Sequence, residues 1–152
     1  MPNLYHSAKN LYRAKVNFKE VLKTAEAGRH LIRAIAYAIR TESGEEQAFV
    51  EALTKSGIEV KLKDLQIFPG GMKKGDWDVG VAVDAIALSN KLDAVVLVTG
   101  DGDFAPLVQY LKTVSGCQVE VIGFGRSTSG HLKEASDDFI DLGQEPKRYL
   151  IK

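Results

Sequence analysis

The sequence holds a single cysteine, Cys117, so no internal disulfide can form. That suits a reducing compartment. Cys117 sits in the run Cys117-Gln118-Val119-Glu120-Val121-Ile122, which reads it as a small buried hydrophobe and not as a nucleophile. No apolar run approaches the roughly 18 residues a membrane span needs. The opening residues, Met1 to His6, lack the charged and apolar regions of a signal peptide. The expected location is the cytoplasm. Charge of one sign is also missing: Lys+Arg and Asp+Glu both number 20, for a net charge of zero. Bulk charge therefore gives no pull toward nucleic acid, and any such role must rest on a local face. The 3 histidines, His6, His30 and His131, show no metal-ligand spacing, so zinc is not expected. There is no internal repeat and no low-complexity stretch.

What is present is 152 residues, 45% hydrophobic and 26% charged, which is one globular domain. Strand-like and helix-like runs alternate. Asn17 can cap a helix over residues 18–27, with Gly28 as its stop. Leu31 to Ile39 reads as a buried strand, and residues 45–55 as a helix capped by Thr41 or Ser43. Residues 58–68 alternate apolar and charged, as a half-exposed strand does. Pro69-Gly70-Gly71 begins a polar loop through Gly75. A helix is expected from Asp76 or Trp77 to about Lys91, with Val79, Val83, Ile86 and Leu88 as its apolar contacts. Asp93 to Val98 reads as a fully buried parallel strand. Asp103 is expected to cap a helix from Phe104 to about Thr113, and residues 118–124 give another strand. A Gly/Ser-rich loop over 125–130, a short helix at 131–135 and a strand at 139–142 follow. The domain covers 1–143, and 144–152 is expected to be a loosely held tail. Such alternation builds a parallel sheet with helices on both faces. Ligands of such sheets sit beyond the carboxyl ends of the strands.

The segment Val98-Thr99-Gly100-Asp101-Gly102-Asp103-Phe104 falls at one of those ends. Two carboxylates at about 4 Å repel by about 4 kcal/mol at an effective dielectric of 20. A divalent cation answers that repulsion, and Mg²⁺ favours carboxylate oxygens plus waters. Asp103 as a plain N-cap and Asp101 as a solvated loop acid are the bland alternatives. A second acidic group lies upstream. Asp76 is read as an N-cap. Asp78 falls in a first helical turn, where the macrodipole favours an acid. Asp84 is embedded among apolar residues and should be partnered. The loop Gly125-Arg126-Ser127-Thr128-Ser129-Gly130 offers amides and hydroxyls to a phosphate, or is simply a loop. Lys9, Arg13, Lys15, Lys19, Lys23, Arg29 and Arg33 offer a backbone-binding face for RNA, with Tyr5 and Tyr12 for stacking, or a solvated helix face. Trp77 is read as partly buried in preference to stacking on a base.

Asn3-Leu4-Tyr5, Lys74-Gly75 through Asp78 and Asp84, and Thr99 to Phe104 together resemble the NYN domain, a family of the PIN-like nucleases. Val119 to Phe124 and Ser136-Asp137-Asp138-Phe139 support the resemblance. It runs from Asn3 to Leu142, and Gly-Asp-Gly-Asp-Phe is its most specific part. It implies a three-layer α/β/α, PIN-like (Rossmann-like) fold with a mainly parallel central sheet. It also implies a Mg²⁺- or Mn²⁺-dependent ribonuclease centre acting on RNA. The matching catalytic and metal-ligating positions are Asp78, Asp84, Asp101 and Asp103. Asn3 matches the Asn of the first family motif, and Thr99, Arg126 and Ser127 are expected on the substrate.

One departure bears on activity. The family motif is Asp-x-x-Asn, with its Asp ending a first, central strand. Three residues back from Asn3 falls one residue before Met1, so that strand is expected to be missing. Either the chain start is set too late, or another segment or molecule repairs the sheet. The metal site would then be short of one ligand. A homodimer is a separate expectation. The alternative to a nuclease is a catalytically impaired module that binds RNA or a protein. A Toprim-like site lacks its Glu at an earlier strand end, and a haloacid-dehalogenase site needs its Asp-x-Asp on the first strand.

Overall fold

A computed structural model of the protein describes residues 2–44, 46–67, 69–70, 73–74 and 76–151. In chain order, the first elements are α1 (Pro2–Tyr12), β1 (Lys15–Val16), α2 (Phe18–Glu26), β2 (Ile35–Arg40), α3 (Gln47–Lys55), β3 (Glu59–Asp64), β4 (Gln66–Ile67) and β5 (Lys73–Lys74). Then come α4 (Asp78–Ser89), β6 (Ala94–Val98), α5 (Ala105–Thr113), β7 (Gln118–Gly123), α6 (Gly130–Ala135), β8 (Asp138–Asp141), α7 (Pro146–Tyr149) and β9 (Leu150–Ile151). The class is α/β with parallel strands, as the alternation implies. The chain divides into two compact units, residues 1–17 with 78–152, and residues 18–77.

The first unit is built on a parallel sheet in the order β6-β7-β8. Val95 aligns with Val119, and Val121 with Phe139. Val119, Val121 and Leu97 pack with Leu107, Val108 and Leu111 of α5 and Leu132 of α6. Burying one such side chain contributes about 1.5–3 kcal/mol. Strand β7 is buried from Val119 to Gly123, but β6 is not fully buried as expected: only Leu97 is, and its neighbours are half-exposed. Among the described residues β6 pairs with β7 alone, which leaves one edge of the strand without a sheet neighbour.

Helix α4 turns a different face inward from the one its large residues suggest. Val79, Val83 and Ile86 are exposed, while Val81, Ala82 and Ala85 pack on the core. Ser89 is buried, donating to the Ile86 carbonyl at 2.8 Å and pairing with the Ser115 hydroxyl at 2.8 Å. Small side chains let the helix lie close to its neighbours. Cys117 is buried, with its thiol toward the carbonyls of Ser89 and Leu92. Burial, and then the nearby Asp93 charge, push that thiol's pKa up, as a structural cysteine requires.

Helix α1 is not among the expected elements. Its Leu4 and Ala8, one turn apart, are fully buried, and the Tyr12 ring lies 5.3 Å from the Phe124 ring. Tyr12 thus packs against Phe124 and is half-buried. The tail is also held. Strand β9 pairs antiparallel with β1, the Tyr149 carbonyl accepts from Asn17 N at 2.7 Å, and Tyr149 is buried.

The second unit pairs β2 and β3 in parallel, Ile35 opposite Glu59 through Arg40 opposite Asp64. The strand expected from Leu31 begins only at Ile35, and Leu31 and Ile32 are exposed. The alternating run expected over 58–68 is broken at Leu65: β3 ends at Asp64, and β4 pairs antiparallel with β5, so Lys73–Lys74 is a strand where a loop was expected. Pro69 and Gly70 form the expected turn, and positions 68, 71, 72 and 75 lie outside the described residues. Helix α3 starts at Gln47, and Thr41 donates its amide and hydroxyl to the Glu46 carboxylate instead of capping the amides. Bonds from the backbone and from Thr41 hold the Glu46 pKa below its usual value. Trp77 is half-buried; its indole N–H donates to the Ala38 carbonyl at 2.9 Å, and its ring lies 5.3 Å from Tyr37. The expected basic face is partly spent here. Arg33 forks onto Glu59 at 2.9 and 3.0 Å, Lys23 pairs with Glu20, and Arg29 bonds the carbonyls of Ala25 and Glu26.

Candidate metal centre

The site is assembled within the first unit at the carboxyl end of β6. Thr99, next after the strand, is buried, and its hydroxyl accepts from Asp101 N at 3.2 Å. Asp101 has an extended backbone, and its Oδ1 accepts from Asp103 N at 2.9 Å. It thereby caps a 3-10 turn over Gly102–Phe104, from which α5 continues with Pro106 in its first turn. Both acids suit a cap, and the extended backbone at Asp101 decides it. The role expected for Asp103 thus belongs to Asp101, and the Asp103 carboxylate is exposed at the rim. Phe104 anchors the turn in the core.

A second loop braces the first. Ser129 N donates to the Gly100 carbonyl at 3.0 Å. A Cβ on Gly100 would lie 2.6 Å from the Ser127 carbonyl oxygen, and one on Gly102 would lie 2.6 Å from the Ser129 hydroxyl. Glycine is needed at both places because the loops touch. Several of the groups that the sequence offered to a phosphate are already engaged. Gly125 N donates to Asp141 Oδ1, Ser127 N to the Phe124 carbonyl, and Thr128 Oγ1 to the same carbonyl. The Ser127 hydroxyl bonds Ser7 at 2.9 Å. Ser127 and Thr99 therefore shape the loops, whereas Arg126 is exposed. The Asn3 position lies on α1, and its side chain is outside the described part.

Asp78 opens α4, and its carboxylate joins those of Asp101 and Asp103: one oxygen of each lies within 4.8 Å of the others. Asp84 is not in this group. It lies six residues further along α4, which on an α-helix is about 9 Å along the axis and about 120° around it. It is half-buried and has an electrostatic or hydrogen-bonding partner.

Three carboxylates so close repel, most strongly between the half-buried Asp78 and Asp101, and less at Asp103, where water screens. The donor set is all oxygen, without imidazole or thiolate. It fits a hard divalent ion such as Mg²⁺ or Mn²⁺ and leaves positions in an octahedral shell for water or phosphate oxygens.

Comparison with known proteins agrees with the motif. The NYN domain family matches residues 1–143. The chain belongs to the NYN domain family. A relative in Synechococcus elongatus, the low amplitude and bright protein LabA, is 25% identical over 118 residues, covering 74% of this chain. The chain spans 63% of the length of LabA. A crystal structure of a protein of unknown function from Vibrio parahaemolyticus is 33% identical and superposes with a TM-score of 0.88 over 99% of this chain and 91% of that one. This NYN domain thus has a fold seen in a crystal, and an acidic triad that can hold a metal. Among the described residues, no helix is long and apolar enough to cross a membrane.

Proposed function

We propose that this NYN domain is a metal-dependent endoribonuclease that hydrolyses phosphodiesters of single-stranded RNA at Asp78, Asp101 and Asp103. The observation that carries the reading is the convergence of three carboxylates within 4.8 Å beyond the end of a parallel strand. A bound Mg²⁺ or Mn²⁺ would supply Lewis acidity, acidifying a water and neutralising charge on the phosphate. The protein's own part is placement. Asp101 is fixed by the amide of Asp103, and Asp78 by the start of α4. Asp103, at the exposed rim, can accept a proton from the attacking water as general base. Arg126, exposed on the bracing loop, is placed in this reading on a phosphate of the RNA backbone. Thr99 and Ser127 act by holding the loops, and Asp84 lies outside the ligand set.

The test is an end-labelled, unstructured RNA incubated with the full chain and Mn²⁺. Cleavage that EDTA stops and added Mn²⁺ or Mg²⁺ restores is the expected result. RNA retained by the protein but left whole with every divalent ion tried would replace this reading with that of a binding module.

A further inference from the structure

Beside the triad runs an open groove of about 500 Å³, within the usual size range of small-ligand sites. Gly102, between the two loop carboxylates in sequence, is one of its lining residues. Helix α5 contributes Ala105, Pro106 and Gln109, and α6 contributes His131, Glu134 and Ala135. Its apolar lining residues, Ala105, Pro106 and Ala135, are small. The polar groups are of three kinds. His131 offers a planar ring, Gln109 an amide with donor and acceptor, and Glu134 a carboxylate that only accepts.

From this juxtaposition we propose that the groove seats a guanine base of the RNA next to the scissile phosphate. His131 stacks on the base, and Glu134 accepts from its N1–H and exocyclic amino group. Guanine is the base that presents two adjacent donors on its Watson–Crick edge, and the two oxygens of one carboxylate match them. Uracil presents one donor there, and an acceptor on either side of it meets the carboxylate unfavourably. Recognition of unpaired RNA bases by stacking and edge hydrogen bonds is the general mode for single strands. Gln109 satisfies the guanine O6 acceptor from the α5 side. The proposal deepens the ribonuclease reading and rests on it.

Two measurements separate the two claims. In the first, guanosine and uridine 5′-monophosphates are titrated into the full chain with Mg²⁺ while the His131 ring signals are followed by NMR. GMP is expected to shift those signals and to bind about tenfold more tightly than UMP. Replacing Glu134 by Gln should erase that preference. Replacing His131 by Ala should weaken both ligands by roughly tenfold, as loss of one stacking contact does. Equal binding of the two nucleotides, or binding that leaves His131 unmoved, overturns the groove assignment. In the second, cleavage sites are mapped on an RNA containing all four bases. Cuts beside guanines that spread to other bases in Glu134→Gln, with KM raised and kcat kept in His131→Ala, support the assignment. Cutting that ignores base identity in the parent overturns it. Absence of cleavage with GMP still seated on His131 overturns the ribonuclease reading and leaves the groove assignment supported.

Discussion

Asp101→Asn is expected to lower kcat/KM for Mn²⁺-dependent RNA cleavage by roughly a thousandfold, while the protein melts within a few degrees of the parent. The loss reflects the several kcal/mol of transition-state charge stabilisation that a Lewis-acidic ion gives, at about 1.36 kcal/mol per factor of ten. The fold survives because Asn keeps the side-chain oxygen that accepts from Asp103 N, and Asn is as good an N-cap as Asp. The substitution removes a charge and little else. Asp84→Asn supplies the contrast. Asp84 is outside the triad, so its loss should change the rate by less than about tenfold. Kinetics and thermal melts of both variants decide the matter. Equal losses in the two would put Asp84 back into the ligand set, and an active Asp101→Asn would end the ribonuclease reading.

Gly100→Ala is expected to be the most destabilising small change near the site, at about 2–3 kcal/mol. The added methyl would sit 2.6 Å from the Ser127 carbonyl oxygen and 3.1 Å from both Cα and Oγ1 of Thr128. Backbone cannot swing aside as a side chain can, so one loop must retreat. The bond from Ser129 N to the Gly100 carbonyl stretches with it. Overpacking of this kind costs about 1–3 kcal/mol. Gly102→Ala should also destabilise: the Ser129 hydroxyl at 2.6 Å can rotate away, but its Cβ at 2.9 Å moves only with the backbone. At Gly130, the start of α6, an added methyl would meet nothing within 4 Å, and Gly130→Ala should be neutral or slightly stabilising. Urea unfolding of the three variants ranks them. A Gly100→Ala protein as stable as Gly130→Ala would mean that the two loops do not touch as described.

The acidic loop was the most legible part of the chain. A run of apolar residues ending in Thr-Gly-Asp-Gly-Asp-Phe can hardly be anything but a strand, a tight turn and a helix start. Which carboxylate caps and which faces outward was not legible, because Asp101 and Asp103 are equally good caps and backbone geometry chooses between them. In α4 the large residues misled. Val79, Val83 and Ile86 look like a core stripe, but close packing favours the face carrying Ala82 and Ala85. The six-residue spacing along α4 separates Asp84 from Asp78 by about 9 Å along the axis and about 120° around it. Helix α1 does carry a local signal, Leu4 and Ala8 at helical spacing, but it is only two residues strong. The role of Ser127 depends on a partner distant in sequence, Ser7, and no local pattern records it. The tail gave no hint of its strand, because β9 is two residues long and its partner lies at the other end of the chain.

The most direct measurement is anomalous scattering from crystals of the protein soaked in Mn²⁺. One strong peak is expected within about 2.1 Å of carboxylate oxygens of Asp78, Asp101 and Asp103, and the same peak should be missing in Asp101→Asn. Saturating Mn²⁺ that leaves no peak between these three side chains would contradict the central claim that they form a metal centre.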